Sequence, residues 1–425
     1  MRILYVTFML QHPRLRGPNR HYHFLRELAH DHAITLLTLT DQPVPPDVMA
    51  EIEGYTERMA TWPVPVGRTS APSNDPTEGK PTSLGRRSAR IARFGAATRA
   101  MRRAFDAAIA DAGAHDVVLL HGKNLLGVVA GRGRVPLVLD FCDAGSLRIG
   151  MRMGCVGWRK RMLLALQRVA VRRMERRAVA ATPYLSFISA RDRAAILGPG
   201  VGAGPADVTA VIPNGVDLAY WRRAPGIAPH PRRLVLSGVM SYAPNDDAAR
   251  LLVGAILPRI RDMTSDVEVC IAGRDPTPDL VARAAGDPTV MVTGFVDDLR
   301  PHLTAATVFV APLRYASGLQ NKVQEAMAMG LPVVTTPVVA EGLRIEDHDP
   351  PPVVTSEADP GAFAAAVVDL LNAPERRAAL ATAGRRYAER HWVWRVSAGQ
   401  LAALCEAAAV QARPDAPRSG IRTPP

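Results

Sequence analysis

Residues 317–334 read Ser-Gly-Leu-Gln-Asn-Lys-Val-Gln-Glu-Ala-Met-Ala-Met-Gly-Leu-Pro-Val-Val. A cation, Lys322, and a carboxylate, Glu325, stand three positions apart just after Gly318. On a helix that spacing puts both on one face, a phosphate-pairing charge beside a group that binds hydroxyls. The flanking residues say what would hold them there. The β-branched and aromatic run 307–312 reads as a buried strand. Gly330 and Pro332 stop the helix, and Val333 with Val334 opens the next strand. A loop at the carboxyl end of a parallel strand, followed by a helix start, turns N–H groups and a positive dipole end toward an anion. The pattern alone equally admits an ordinary βαβ crossover whose Lys322 and Glu325 are solvated.

At 425 residues the chain is long enough for two domains, each with its own core. Cys142, Cys155, Cys270 and Cys405 are scattered and form no C-x-x-C pair. That argues against a disulfide framework or a zinc site and fits a reducing compartment. Residues 1–7 are too short for a signal-peptide core and read as a first buried strand. No apolar run approaches the length that spans a bilayer. The expectation is a cytoplasmic protein, soluble or peripheral at the inner face of the plasma membrane. Charge is lopsided: residues 1–200 carry 30 Lys+Arg against 16 Asp+Glu, a balance of +14, and residues 201–425 carry 22 against 24, a balance of −2. A basic N-terminal half points to an anionic partner there, with a membrane surface, a lipid pyrophosphate or nucleic acid as the classes.

The 317–334 stretch resembles the donor-site signature of the retaining, GT-B-fold glycosyltransferases of family 4. That signature typically reads Glu-Gly-Phe-Gly-x-x-x-x-Glu-Ala-Met-Ala-x-Gly-x-Pro-Val-Val. Gly318, Glu325, Ala326, Met327, Ala328, Gly330, Pro332, Val333 and Val334 match it. Ser317 stands where the family has the first Glu of its Glu-x7-Glu pair. The run Gln320-Asn321-Lys322-Val323 followed by Glu325-Ala326-Met327-Ala328-Met329-Gly330 is similar to a subgroup of bacterial polysaccharide sugar transferases. The resemblance implies an α/β chain of two Rossmann-like domains facing each other across a cleft, with a nucleotide diphosphate sugar held by the second.

In the N-terminal half, strand 2–7 runs into a glycine-bearing loop and then a helix over 20–30. There is no G-x-G-x-x-G, so a dinucleotide reading is weak. In the family this first loop approaches donor phosphates or acceptor, making Gly17 a candidate; equally, Gly17 only permits the turn. Residues 63–85 read as a loop. Residues 84–109 form a basic amphipathic helix with Ile91, Phe94, Met101 and Phe105 on one face, suited to packing on the sheet or lying on a membrane. Strands 116–120 and 136–141 end in His121 and in Asp140, Asp143 and Ser146, polar residues placed where ligands bind. All four are acceptor-side candidates, and Asp143 is the one expected to be catalytic. A second basic helical region covers 148–177, with Met162, Leu163, Leu166 and Val169 as its apolar positions. The run 211–217, with Pro213-Asn214-Gly215, is near-identical to what the family uses to close its first domain. This gives domains over 1–212 and 232–390 joined by a linker at 213–231, a terminal helix over 391–408 crossing back, and a disordered tail at 409–425.

Many family members hold the diphosphate with a Gly-Arg-x-x-x-x-Lys pair after the first strand of the second domain. Here Val239 and Pro244 stand at those places, so Arg314 and Lys322 are nominated as the replacing cations. Gly294, Phe295 and Val296 are the expected base site, and Arg274 is placed to reach phosphate or base. Ser317, Gly318, Leu319 and Gln320 complete the donor set with Glu325. Asp347-His348-Asp349 matches a metal-binding D-x-D by letter but reads as a turn. Neither metal nor cofactor is expected. The implied activity is transfer of a sugar from a nucleotide diphosphate sugar to a glycan or lipid-linked acceptor. An epimerase or a phosphorylase on the same fold is the alternative, though with four lysines a pyridoxal-bearing phosphorylase is a poor fit. A basic nucleic-acid-binding protein would need aromatic platforms, and the aromatic fraction is only 5%.

Overall fold

The computed structural model describes residues 1–15, 19–64, 84–111, 113–198, 209–345 and 348–412. Gly17, most of the 63–85 loop, Asp347 and the expected tail from 413 onward lie outside them.

The first domain alternates strand and helix from its start. Its strands are β1 (Arg2–Thr7), β2 (Ala33–Thr40), β3 (Arg58–Pro63), β4 (Val117–His121), β5 (Leu137–Asp140), β6 (Tyr184–Phe187) and β7 (Thr209–Val211). Its helices are α1 (Arg20–Leu28), α2 (Pro46–Gly54), α3 (Leu84–Ala110), α4 (Gly145–Met153), α5 (Trp158–Ala181) and α6 (Ala190–Leu197). The strands pair in parallel in the order β3-β2-β1-β4-β5-β6-β7. Central strands such as β4 are buried along their whole length, as a parallel sheet covered on both faces requires. Met101 and Phe105 of α3 are fully buried against one face, so that helix spends its apolar stripe on the sheet. The basic helical region over 148–177 is made of two helices, because Gly154 and Gly157 interrupt it and Gly157 stands at the N-cap of α5.

The second domain repeats the grammar with β8 (Arg233–Ser237), β9 (Glu268–Ala272), β10 (Val290–Val292), β11 (Val308–Ala311), β12 (Val333–Thr335) and β13 (Val354–Thr355). They form a second parallel sheet in the order β10-β9-β8-β11-β12-β13. Its helices are α7 (Ala243–Leu251), α8 (Leu257–Met263), α9 (Pro278–Ala285), α10 (Arg300–Thr304), α11 (Asn321–Ala328), α12 (Pro337–Leu343), α13 (Pro360–Leu371) and α14 (Pro374–His391). The last helix, α15 (Trp394–Gln411), lies on the first sheet: Trp394, Leu401 and Cys405 join the cluster of Tyr5, Phe24 and Leu119. Trp392, two residues earlier, is fully buried in the core of the second domain. A second crossing runs alongside, where Val216 N–H donates to the Trp392 carbonyl at 2.8 Å. A Cβ on Gly215 would lie 2.5 Å from the Trp394 nitrogen, so only glycine lets the two segments touch.

Candidate active site

Each sheet reverses its strand order once, between β1 and β4 and between β8 and β11. Ligands of open α/β sheets bind outside the carboxyl ends of strands at such switch points. In the second domain the β8 and β9 ends are packed backbone to backbone. Gly238 and Gly273 have φ of 142° and 144°, and a Cβ on Gly273 would sit 1.9 Å from the Gly238 carbonyl oxygen. A Cβ on Gly238 would meet Asn245 Nδ2 at 2.6 Å. Asn245 therefore lies directly over Gly238, with Nδ2 donating to the Val239 carbonyl at 3.0 Å. Its Oδ1 accepts a 2.7 Å bond from Lys322 Nζ, which also donates to Gln320 Oε1 at 3.0 Å. Two of the three ammonium donors thus fix Lys322 at the mouth of the switch point.

Helix α11 starts after Gln320, with no side chain capping it. Its positive end is complemented only by what lies in front of it. Burial dominates at its first two turns. It pushes Lys322 down to about 8, against the pull of Glu325, and Glu325 up to about 7, against the pull of Lys322. One expectation needs correcting. The Gly318 N–H, taken as an open anion donor, is bonded to the Asp192 carboxylate at 3.1 and 3.2 Å. The loop Ser317–Gln320 is buried, so the amides left without a side-chain partner are those of the helix start rather than that of Gly318.

On the opposite rim, Asp143 follows β5 and its Oδ2 accepts a 3.0 Å bond from Ser317 Oγ. Arg148 of α4 stands 3.7 Å from the same oxygen and lies over the Tyr242 ring at 5.6 Å. Its Nε is buried without a hydrogen-bond partner. Asp140 is a correction as an acceptor-side group, because it is fully buried and saturated. Arg20 grips both of its oxygens at 2.9 Å, and Ser186 Oγ and His121 Nδ1 each lie at 2.8 Å. Burial alone would raise its carboxyl, but the Arg20 charge and these bonds hold it well below the usual range. His121 is buried beside it and belongs to the same structural network. Cys142 Sγ lies within 4.8 Å of ligand atoms of both. The Arg20 guanidinium already occupies the Asp140 carboxylate, which works against a cation there. Ser146 is also inward: it is buried, and its N–H donates to Glu175 at 3.1 Å.

Arg314 follows β11 as expected, but Asp247 holds it through two hydrogen bonds, one of 2.8 Å, so its charge is already matched. The structure puts Arg274 after β9, where its carbonyl accepts from Met240 N–H at 2.9 Å. Gly294 has φ 67° and bridges to Gly273, while Phe295 beside it is 71% exposed. Leu319 packs in the second-domain core. The sequence reading missed Asn245, Asp192 and Arg148. Asp192 had a signal in Ser189-x-x-Asp192, a capping box. The cap itself is Ser189 Oγ, which accepts from Asp192 N–H, while the Asp192 carboxylate accepts from Ala144 N–H at 2.8 Å as well as from Gly318 N–H and so clasps the two rims. Asn214 does likewise, accepting from Arg20 at 2.7 Å and donating to Asn321 at 2.8 Å.

Residues 231–373 match the family model described as glycosyl transferases group 1. The chain is 29% identical over 271 residues to a GDP-mannose-dependent alpha-(1-6)-phosphatidylinositol monomannoside mannosyltransferase of Mycolicibacterium smegmatis, covering 59% of this chain and 67% of that protein. It is 31% identical over 201 residues to a phosphatidyl-myo-inositol mannosyltransferase of the same organism, covering 46% of this chain and about half (51%) of that protein. Among solved structures, sucrose-phosphate synthase from Thermosynechococcus elongatus superposes with a TM-score of 0.67 at 18% identity, covering 95% of this chain and 98% of that one. Anabaena HepE in complex with UDP and glucose gives 0.59 at 15% identity, covering 94% and 98%. The group 1 domain in its second half and the mannosyltransferase relatives make the chain a glycosyltransferase, an enzyme of the hexosyltransferase kind, while the solved structures carry the GT-B architecture.

Proposed function

We propose that this enzyme moves a hexosyl group from a nucleotide diphosphate sugar to a hydroxyl of a glycan or lipid-linked acceptor, with retention and with neither metal nor cofactor. The observation that carries the reading is the start of α11, uncapped by any side chain and set beside Lys322 at the second-domain switch point, with Ser317 in the loop before it bonded to Asp143 of the first domain. As the bond from the anomeric carbon to phosphate oxygen breaks, its electron pair stays on the diphosphate. Helix-start amides and the Lys322 ammonium meet that charge where it develops. Arg148 is the closer replacement for the cations absent at Val239 and Pro244, since it lies over Tyr242 of the same loop. Glu325 accepts from the ribose hydroxyls. Asp143 orients the acceptor hydroxyl, whose proton passes to the departing phosphate oxygen as the new bond forms on the same face. The relatives are named as transferases, which leaves the epimerase reading unfavoured.

GDP-mannose and UDP-glucose are the donors to test first, from the names of the relatives and of the HepE complex. A raised melting temperature with one of them, and an α-linked product by NMR from an α-configured donor, is the expected result. No stabilisation by any nucleotide sugar, or an inverted product, overturns it.

A further inference from the structure

Helix α5 is built inside out. Its inward side is narrow, with Leu164, Glu175 and Ala178 buried. Its outward side carries Trp158, Met162, Leu163 and Leu166, exposed by 71%, 65%, 69% and 71%. The basic run 159–161 lies between Trp158 and the other three, and Arg172, Arg173, Arg176 and Arg177 follow them, all exposed. The one acid of the helix, Glu175, is drawn inward to Ser146 N–H at 3.1 Å and Lys123 at 4.0 Å, so the outward face has no negative charge. A helix packed on a sheet spends its large apolar side chains on the core. α3, the other basic helix, does so. An apolar ridge left in water and bracketed by cations marks a docking surface.

We propose that the outward face of α5 docks on an anionic phospholipid bilayer. Trp158, Met162, Leu163 and Leu166 would enter the headgroup and acyl boundary, while the flanking arginines meet lipid phosphates. Charge decides between occupants. A second copy meeting this face would set cations against cations. Nucleic acid would match the arginines and leave the ridge unexplained. The position of the helix gives docking a use. Glu175 holds α5 to Ser146, three residues from Asp143, and α4 carries Arg148 at the cleft rim. A docked enzyme therefore keeps its acceptor-side rim beside the lipid surface. That last step rests on the transferase reading; the docking does not.

The test is co-sedimentation of the full chain with vesicles of phosphatidylcholine alone and of phosphatidylcholine with phosphatidylglycerol. The wild type is expected to sediment with the anionic vesicles and to be weakened by salt. Leu163→Glu/Leu166→Glu should bind them at least ~10-fold more weakly. Arg172→Glu/Arg173→Glu should lose the preference for anionic lipid. These positions are exposed, so folding is retained, and stabilisation by the nucleotide sugar should be unchanged in both variants. Vesicle binding equal to wild type in the Leu163/Leu166 variant overturns the proposal. So does a wild-type dimer that the same variant converts to monomer, or a loss confined to nucleic-acid retention. A wild type that binds vesicles but no nucleotide sugar would instead overturn the transferase reading and leave the docking standing.

Discussion

Ser317 Oγ donates a 3.0 Å hydrogen bond to Asp143 Oδ2, joining loops that are 174 residues apart and belong to different domains. The relationship explains why a serine suits position 317. A glutamate there would bring a second carboxylate to within bonding distance of Asp143, and like charges at that range repel. Ser317→Glu is expected to push the rims apart, raising KM and lowering kcat at pH 8 and recovering part of both as pH falls. Asp143→Asn should lower kcat by about 10²-fold or more with donor affinity kept, which steady-state kinetics and calorimetry separate.

The charge states at the start of α11 fix a pH profile. In the proposed mechanism donor binding needs Lys322 protonated and Glu325 ionised, and burial puts these groups at about 8 and about 7. A bell-shaped kcat/KM with limbs near those values is expected. Lys322→Arg should remove the alkaline limb, because a guanidinium does not titrate there.

Stability should carry the same signature with a definite sign. Glu325 has its folded-state value raised from 4.5 to about 7, so between those values the folded chain holds a proton that the unfolded chain has lost. Its contribution is full below 4.5 and is lost as pH rises toward 7. Glu325→Gln is therefore expected to melt with a flatter dependence over that range. A melting-temperature series with steps in pH reads it directly.

Arg148 and Arg314 compete for one role, and the ion pairs decide between them. Asp247 holds Arg314 in two bonds, whereas Arg148 meets Asp143 only at 3.7 Å and keeps an unpartnered Nε. Arg148→Ala should cost about 10²-fold in kcat/KM. Arg314→Ala should cost several-fold less. The reverse order in side-by-side kinetics would return the assignment to Arg314.

Arg20 is a stability residue at the floor of the cleft. Its guanidinium neutralises the buried Asp140 and reaches the Ile212 carbonyl and Asn214. Arg20→Met leaves that carboxylate uncompensated and should destabilise the first domain by about 3–5 kcal/mol. Urea unfolding followed by tryptophan fluorescence measures it.

What the sequence made legible follows from local rules. Strand β11, the helix after it and the stop at Gly330, whose φ is 67°, are encoded within neighbouring residues. The bond from Lys322 to Asn245 was not legible, because it joins residues 77 apart through the order of the strands. The same holds for Asp192, whose capping signature says nothing of its second partner in the other domain. The period of α5 placed Met162, Leu163 and Leu166 together on one side, yet periodicity does not say whether that side meets the core or the solvent. Only the packing of α4 and the inward pull on Glu175 settle its rotation.

Trp392 and Trp394 are driven into different cores with a single residue between them, while Gly215 slides past at van der Waals range. Such a joint admits little stretch and little bending, and leaves torsion as the soft coordinate. The expected movement of the two halves is therefore a twist about a short axle at the back, with the clasped rims at the front as its lever end. The axle sets the stroke, while clasps such as that of Ser317 and Asp143 set how often the halves close.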